Sequence, residues 1–234
     1  MDASPDARAD PAPDPARETA PAGAPDPRAA ARAEVLEAAA RCFMDRGFSA
    51  ASIDDVARAM GATKGRVYHY YRSKLDLFAD VVRWSLELIH GEVVAAEGQG
   101  AGRGAPTARM GRMIRAHVRS ILRDQPFHRV ALQGVDMHLR AATTPEQRAA
   151  LADLIALRDR HEKLFERVLR EGIAAGEFAP RDPGVTVRTL LPALNGAVFW
   201  YRPRPGETEA DRAEIIETVA AFALAGLAAQ GRTT

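Results

Sequence analysis

The sequence predicts an all-α protein: an N-terminal arm over 1–28, a small three-helix unit over 29–76 and a larger helical domain over 77–234. Three observations point there. No stretch alternates apolar and polar residues with a period of two, as a half-buried strand would. Apolar residues instead recur at i, i+3, i+4 and i+7. Helix-start signals also precede these runs, at Ser52–Asp55, Ser73–Asp76, Thr144–Gln147 and Thr208–Asp211.

Each element follows in turn. Met1 to Arg28 holds seven of the fifteen prolines, is rich in Ala and Asp, and lacks large apolar residues. It cannot bury enough surface to offset its chain entropy and is expected to be disordered. Its aspartates disfavour a DNA-backbone role for Arg8, Arg17 and Arg28. The first helix, Ala31 to Arg46, carries Val35, Leu36, Ala39, Cys42 and Phe43 on one stripe and stops at Gly47. The second starts at Ile53 behind Ser52, with Val56, Ala57 and Met60 inward, and ends at Gly61. Thr63 is the expected N-cap of a third helix reaching Tyr71. A long helix from Ser73 to Glu97 directs Leu75, Phe78, Val82 and Leu86 at the small unit, and Trp84, Leu88 and Ile89 at the larger domain. After a glycine-rich loop, Gly98 to Gly104, helices are expected from Pro106 to Arg123, Phe127 to Arg140, Pro145 to Gly172 or Gly176, Pro183 to Phe199, and onward from Thr208.

The third helix has an unusual surface. Arg58 to Lys74 contains five basic residues and no acid, and holds three of the four tyrosines. At about 100° per residue, Val67 and Tyr71 share the inward side, while Gly65, Arg66 and His69 point away between Tyr68 and Tyr70. Such a face attracts phosphates, and bare Gly65 lets a surface approach closely. A short helix pair of this kind delivers its second helix to a DNA major groove. The expected DNA contacts are Ser52, Thr63, Lys64, Gly65, Arg66, Tyr68, His69, Tyr70 and Lys74. The formal net charge is only +1, so affinity for nucleic acid has to come from this patch.

The segment GATKGRVYHYYRSKLDLF resembles the helix-turn-helix signature of the TetR family of transcriptional regulators, and RAEVLEAAARCFMDRGFSAASIDDVARAMG is similar to that family's first two helices. The resemblance covers Ala31 to Val82. It implies a homodimer on a palindromic, double-stranded operator, with a C-terminal domain that binds a small-molecule effector. The family often has a small residue where Arg66 stands and a His-Phe pair where Tyr70 and Tyr71 stand. RDRHEKLFERVLREGIAAGEF followed by WYRP is similar to a subgroup that responds to acyl-CoA thioesters of lipid or steroid breakdown, although Gly196 stands where members often carry Trp.

His117, Phe127, Met137 and His161 lie among apolar neighbours. Asn195, Trp200, Tyr201 and Arg202 form a polar and aromatic cluster near a helix end. These eight are the expected ligand-binding residues; an aromatic corner ended by Pro203 is the structural alternative. The last two helices are apolar over more than one face, as a dimer interface would be. No cofactor, metal or catalytic residue is implied. Gly-x-Ser-x-Gly and His-Glu-x-x-His are absent, and the single Glu-x-x-His pair, Glu87 and His90, lacks the second copy that a di-metal bundle needs. The lone Cys42 suits a reducing cytoplasm. The longest apolar run, Val219 to Ala229, is too short to span a bilayer. Two rivals stand beside the regulator reading: a non-specific architectural DNA-binding protein, and an all-α enzyme acting on acyl-CoA.

Overall fold

The computed structural model describes residues 27–99, 104–139 and 144–229, with the side chains of 27 and 133–139 excepted. The arm before Pro27, most of the glycine-rich loop and the side chain of Met137 therefore lie outside the described residues. The described residues form ten helices: α1 Pro27–Ala50, α2 Ile53–Ala59, α3 Lys64–Tyr68, α4 Lys74–Gly98, α5 Pro106–Arg123, α6 Gln125–Leu139, α7 Pro145–Ala174, α8 Pro183–Asn195, α9 Ala197–Trp200 and α10 Glu209–Leu227. The β-type pairing among them is one isolated bridge between Phe178 and Ala228.

The local signals act as physical stops and starts. Gly47 takes φ 75° and breaks α1 before a last short turn. Reciprocal capping boxes open α2 at Ser52–Asp55, α7 at Thr144–Gln147 and α10 at Thr208–Asp211. Ser73 caps α4 by accepting from the Asp76 N–H. Three expectations change. The third helix ends at Tyr68, three residues early, and Thr63 precedes it without a side-chain capping bond. Gly196 ends α8, so the expected single helix through Phe199 is split.

Two apolar cores share α4. Its first half, with Leu77, Phe78, Val81 and Val82, completes a core built on Val35, Phe43, Val56 and Val67. Its second half, with Ile89 and Val93, enters a core built on α5, α7, α8 and α10. The first core extends beyond the small unit, taking Phe127, Val130 and Ala131 from α6 and Leu154 and Leu157 from α7. Trp84 packs there too, its ring 4.0 Å from that of Phe127 of α6, so it faces the larger domain as expected. Cys42 is buried, and burial pushes its thiol pKa up. No described helix is long and apolar enough to cross a membrane.

Candidate nucleic-acid interface and effector cavity

The α2–α3 unit is assembled from short elements pinned by a few buried groups. Val67 is fully buried and Tyr71 nearly so, its hydroxyl donating to Asp80 at 2.6 Å. Those anchors leave Lys64, Gly65, Arg66, Tyr68 and His69 exposed on the opposite side. Thr63 is exposed as well. A Cβ built on Gly65 would meet only the Thr63 hydroxyl, at 3.8 Å, so the backbone there lies open to an approaching surface. The two cations sit in exposed ion pairs, Lys64 with Asp54 at 3.1 Å and Arg66 with Glu34 at 2.6 Å. Such pairs are worth roughly 0–1 kcal/mol, so a phosphate or base edge can replace the carboxylate at small cost.

Three predicted contacts are placed otherwise. The Lys74 ammonium donates to the carbonyl oxygens of Phe48, Ser49 and Ala51 at 2.7, 3.2 and 2.8 Å, and stands 4.5 Å from the centre of the Phe48 ring. All three N–H donors are engaged, so Lys74 closes the end of α1 instead of reaching outward. Ser52 is engaged in its cap, bonded to Asp55 on both sides. Tyr70 is half-buried against the first core and lines a cavity of about 280 Å³ between α1, α4 and α7.

A second cavity, about 390 Å³, lies between α4, α5, α6, α7 and α8. It unites three of the predicted ligand residues. His117 Nε2 is 2.9 Å from Asn195 Oδ1, and His117 Nδ1 is 3.1 Å from His161 Nε2. Burial pulls the His117 pKa down to about 4 and holds His161 well below the usual imidazole range. His128, which sequence reasoning passed over, also lines the cavity between the hydroxyls of Ser85 and Ser120, at 2.8 and 3.3 Å. Burial pulls it down to about 3. The wall thus sets these imidazoles among apolar side chains such as Ile89, Ile121 and Leu191, and exposed Arg158, Asp159 and Arg188 with half-buried Glu162 stand at its rim.

The other predicted ligand residues sit elsewhere. Phe127 is a core residue stacked on Trp84. Tyr201 is buried and donates to Glu207. Arg202 folds back onto the carbonyls of Phe199 and Tyr201. Trp200 is 57 % exposed and lines an open apolar groove of about 530 Å³ between α8 and α10, with Val185, Val219 and Phe222. Trp200, Tyr201 and Arg202 all follow the α8 break at Gly196. The 3.1 Å separation between a Cβ built there and the Ala193 carbonyl shows how tight that turn is.

Comparison with known proteins agrees with this architecture. The sequence model for bacterial regulatory proteins of the tetR family matches residues 35–81, and that for the tetracyclin repressor-like C-terminal domain matches residues 103–227. The chain belongs to the TetR family. It is a DNA-binding transcriptional regulator. The HTH-type transcriptional repressor KstR2 of Mycolicibacterium smegmatis is 26% identical over 181 residues, covering 76% of this chain and 83% of its own. The solved KstR2 of Mycobacterium tuberculosis, a ketosteroid transcriptional regulator, superposes with a TM-score of 0.72 at 23% identity, covering 89% of this chain and 99% of that one. AibR in complex with isovaleryl coenzyme A and operator DNA gives 0.65 at 22%, covering 84% and 97%. These two structural likenesses establish a TetR fold.

Proposed function

We propose that this TetR regulator is a homodimeric repressor that leaves a palindromic operator when the 390 Å³ cavity is filled. The carrying observation is the outward face of α3. Arg66, Lys64, Tyr68 and His69 are exposed around open Gly65, while Val67 fixes the helix from behind. Arg66 and His69 are the base-reading candidates, and Thr63, Lys64 and Tyr68 the phosphate-facing ones. The groove between α8 and α10 supplies the dimer surface. It holds Trp200 at 57 % and Phe222 at 78 % exposure, a degree of apolar exposure that a second copy would cover.

Filling the cavity reaches DNA through two adjacent residues of α6. His128 faces the cavity and is bonded to Ser85 of α4, while Phe127 is wedged on Trp84 of α4 in the reading unit's core. A ligand that shifts His128 shifts α4 and α6, which pack on α1 and reach α3 through α1 and α2. It acts only by binding one arrangement more tightly than the other. The effector class proposed is a CoA thioester, such as the isovaleryl coenzyme A held by AibR, with its acyl group in the cavity and its phosphates met by Arg158 and by Arg188, which would exchange its ion pair with Glu162 for them. Arg158 and Arg188 take the place that Trp200 and Arg202 held in the sequence reading.

The test selects DNA from a random pool, then titrates the selected duplex with protein at fixed salt, with and without a panel of acyl-CoA thioesters. A palindromic consensus released by one thioester is the expected result. Equal affinity for scrambled DNA would favour the architectural rival. Turnover of a thioester would revive the enzyme reading.

A further inference from the structure

The Asn195–His117–His161 chain has a property beyond simple pocket lining. Asn195 Oδ1 lies 2.9 Å from His117 Nε2, so that nitrogen carries the proton. His117 Nδ1 then accepts, and His161 Nε2 donates to it across 3.1 Å. The far nitrogen of the second ring, His161 Nδ1, is left as an acceptor. It is buried with no hydrogen-bond partner among the described residues, in a side chain that is 7 % exposed and lines the cavity. A buried polar atom without a partner costs free energy that an incoming group can recover.

The chain also runs in reverse. Turning the Asn195 amide by 180° places its NH2 on His117 Nε2 and moves the protons of both rings to their other nitrogens. Every internal bond survives, and His161 Nδ1 becomes a donor. Neither direction creates a charge. The surroundings favour that neutrality, because Ile89, Ile121, Leu132, Leu191 and Phe199 make up much of the remaining lining.

We infer that Asn195, His117 and His161 form a reversible hydrogen-bond relay that recognises one neutral oxygen, hydroxyl or keto, on the hydrocarbon part of the effector. The inference rests on the reading of this cavity as the effector site. A hydroxyl donates to His161 Nδ1 in the first direction, and a keto oxygen accepts from it in the reversed one. The cavity thereby selects an oxygenated hydrocarbon over a bare one, and accepts two oxidation levels of the same skeleton.

The experiment uses full-length protein labelled with 15N at histidine, at pH 7, with 1-tetralol, 1-tetralone and tetralin as probes. Nitrogen chemical shifts report which ring nitrogen carries the proton. Tetralol is expected to bind with His117 and His161 both protonated at Nε2, and tetralone with both protonated at Nδ1. Each should bind about tenfold or more tightly than tetralin, as loss of a buried hydrogen bond implies. His161→Phe should bind all three alike, and His161→Gln, whose amide can also turn, should restore the preference for oxygen. Failure of both oxygenated probes to bind, identical tautomers with both, or equal binding of tetralin overturns the relay. DNA affinity, titrated separately, keeps the two readings apart. A tautomer response without operator release would keep the relay and remove the cavity's regulatory role.

Discussion

Replacing Lys74 by Met separates the clamp seen in the structure from the DNA contact that the sequence predicts. In the structure its ammonium holds three carbonyls at the end of α1, so Met keeps the stem and removes the clamp. Hydrogen bonds to a charged group contribute about 1.5–3 kcal/mol each. The three share one ammonium, and water reaches this half-buried edge, so they do not add. A loss of about 2–4 kcal/mol is expected. With a urea m-value of about 3 kcal/mol/M, the midpoint falls by about 1 M. The assay pairs urea denaturation with the salt dependence of DNA binding. The clamp predicts a lower midpoint and an unchanged salt slope. An unchanged midpoint with a slope smaller by about one would place Lys74 on a phosphate and refute the clamp.

Three further perturbations follow from the geometry. Phe222→Asp removes a ring that is 78 % exposed in the α8–α10 groove; burying it against a partner would contribute about 1.5–3 kcal/mol per protomer. Sedimentation should show the variant as a monomer at micromolar concentration, and an intact dimer would reject the interface. Gly172→Ala places a Cβ 2.1 Å from Phe178 Cδ2 in a closed core, so a thermal melt should show destabilisation by about 1–3 kcal/mol, relieved by Phe178→Leu; an unaltered melt contradicts that packing. Acid should destabilise the protein through His117. Its folded pKa, about 4, lies below the ordinary 6.5, so the unfolded chain binds the extra proton between those values and stability declines as pH falls through that window. The loss is on the order of 3 kcal/mol by pH 4. Urea midpoints at pH 7.5 and 5 check it, and His117→Asn should reduce the difference while the share due to His128 and His161 remains.

Much of the reading unit was legible from residue order alone. Ser52–Asp55, Gly47 and the Val67–Tyr71 pair are local signals, and each holds in the structure. Lys74 was misassigned because a cation in a basic stretch looks outward in one dimension; only the fold reveals that the end of α1 lies within its reach. Thr63 and the early end of α3 show the limits of propensity in so short a helix, where packing of Val67 decides.

The cavity was legible in part. His117, His161 and Asn195 stood out as polar residues on apolar faces, yet nothing local says that α5, α7 and α8 bring them together. His128 was missed because its neighbour Phe127 drew the assignment; adjacent positions on a helix face about 100° apart, so one entered the core and the other the cavity. Trp200 and Arg202 were misplaced because the reading carried one helix through Gly196, and Pro192 inside α8 was a warning of a break.

The exposed face of α3 is tested most directly by one competition. Wild-type protein and Arg66→Ala are each titrated at the same salt against the selected palindrome and a scrambled duplex. The predicted outcome is a loss of about 1–3 kcal/mol on the palindrome alone, with binding to scrambled DNA changed only slightly. An unchanged ratio between the two duplexes would contradict the assignment of base reading to Arg66 and this helix.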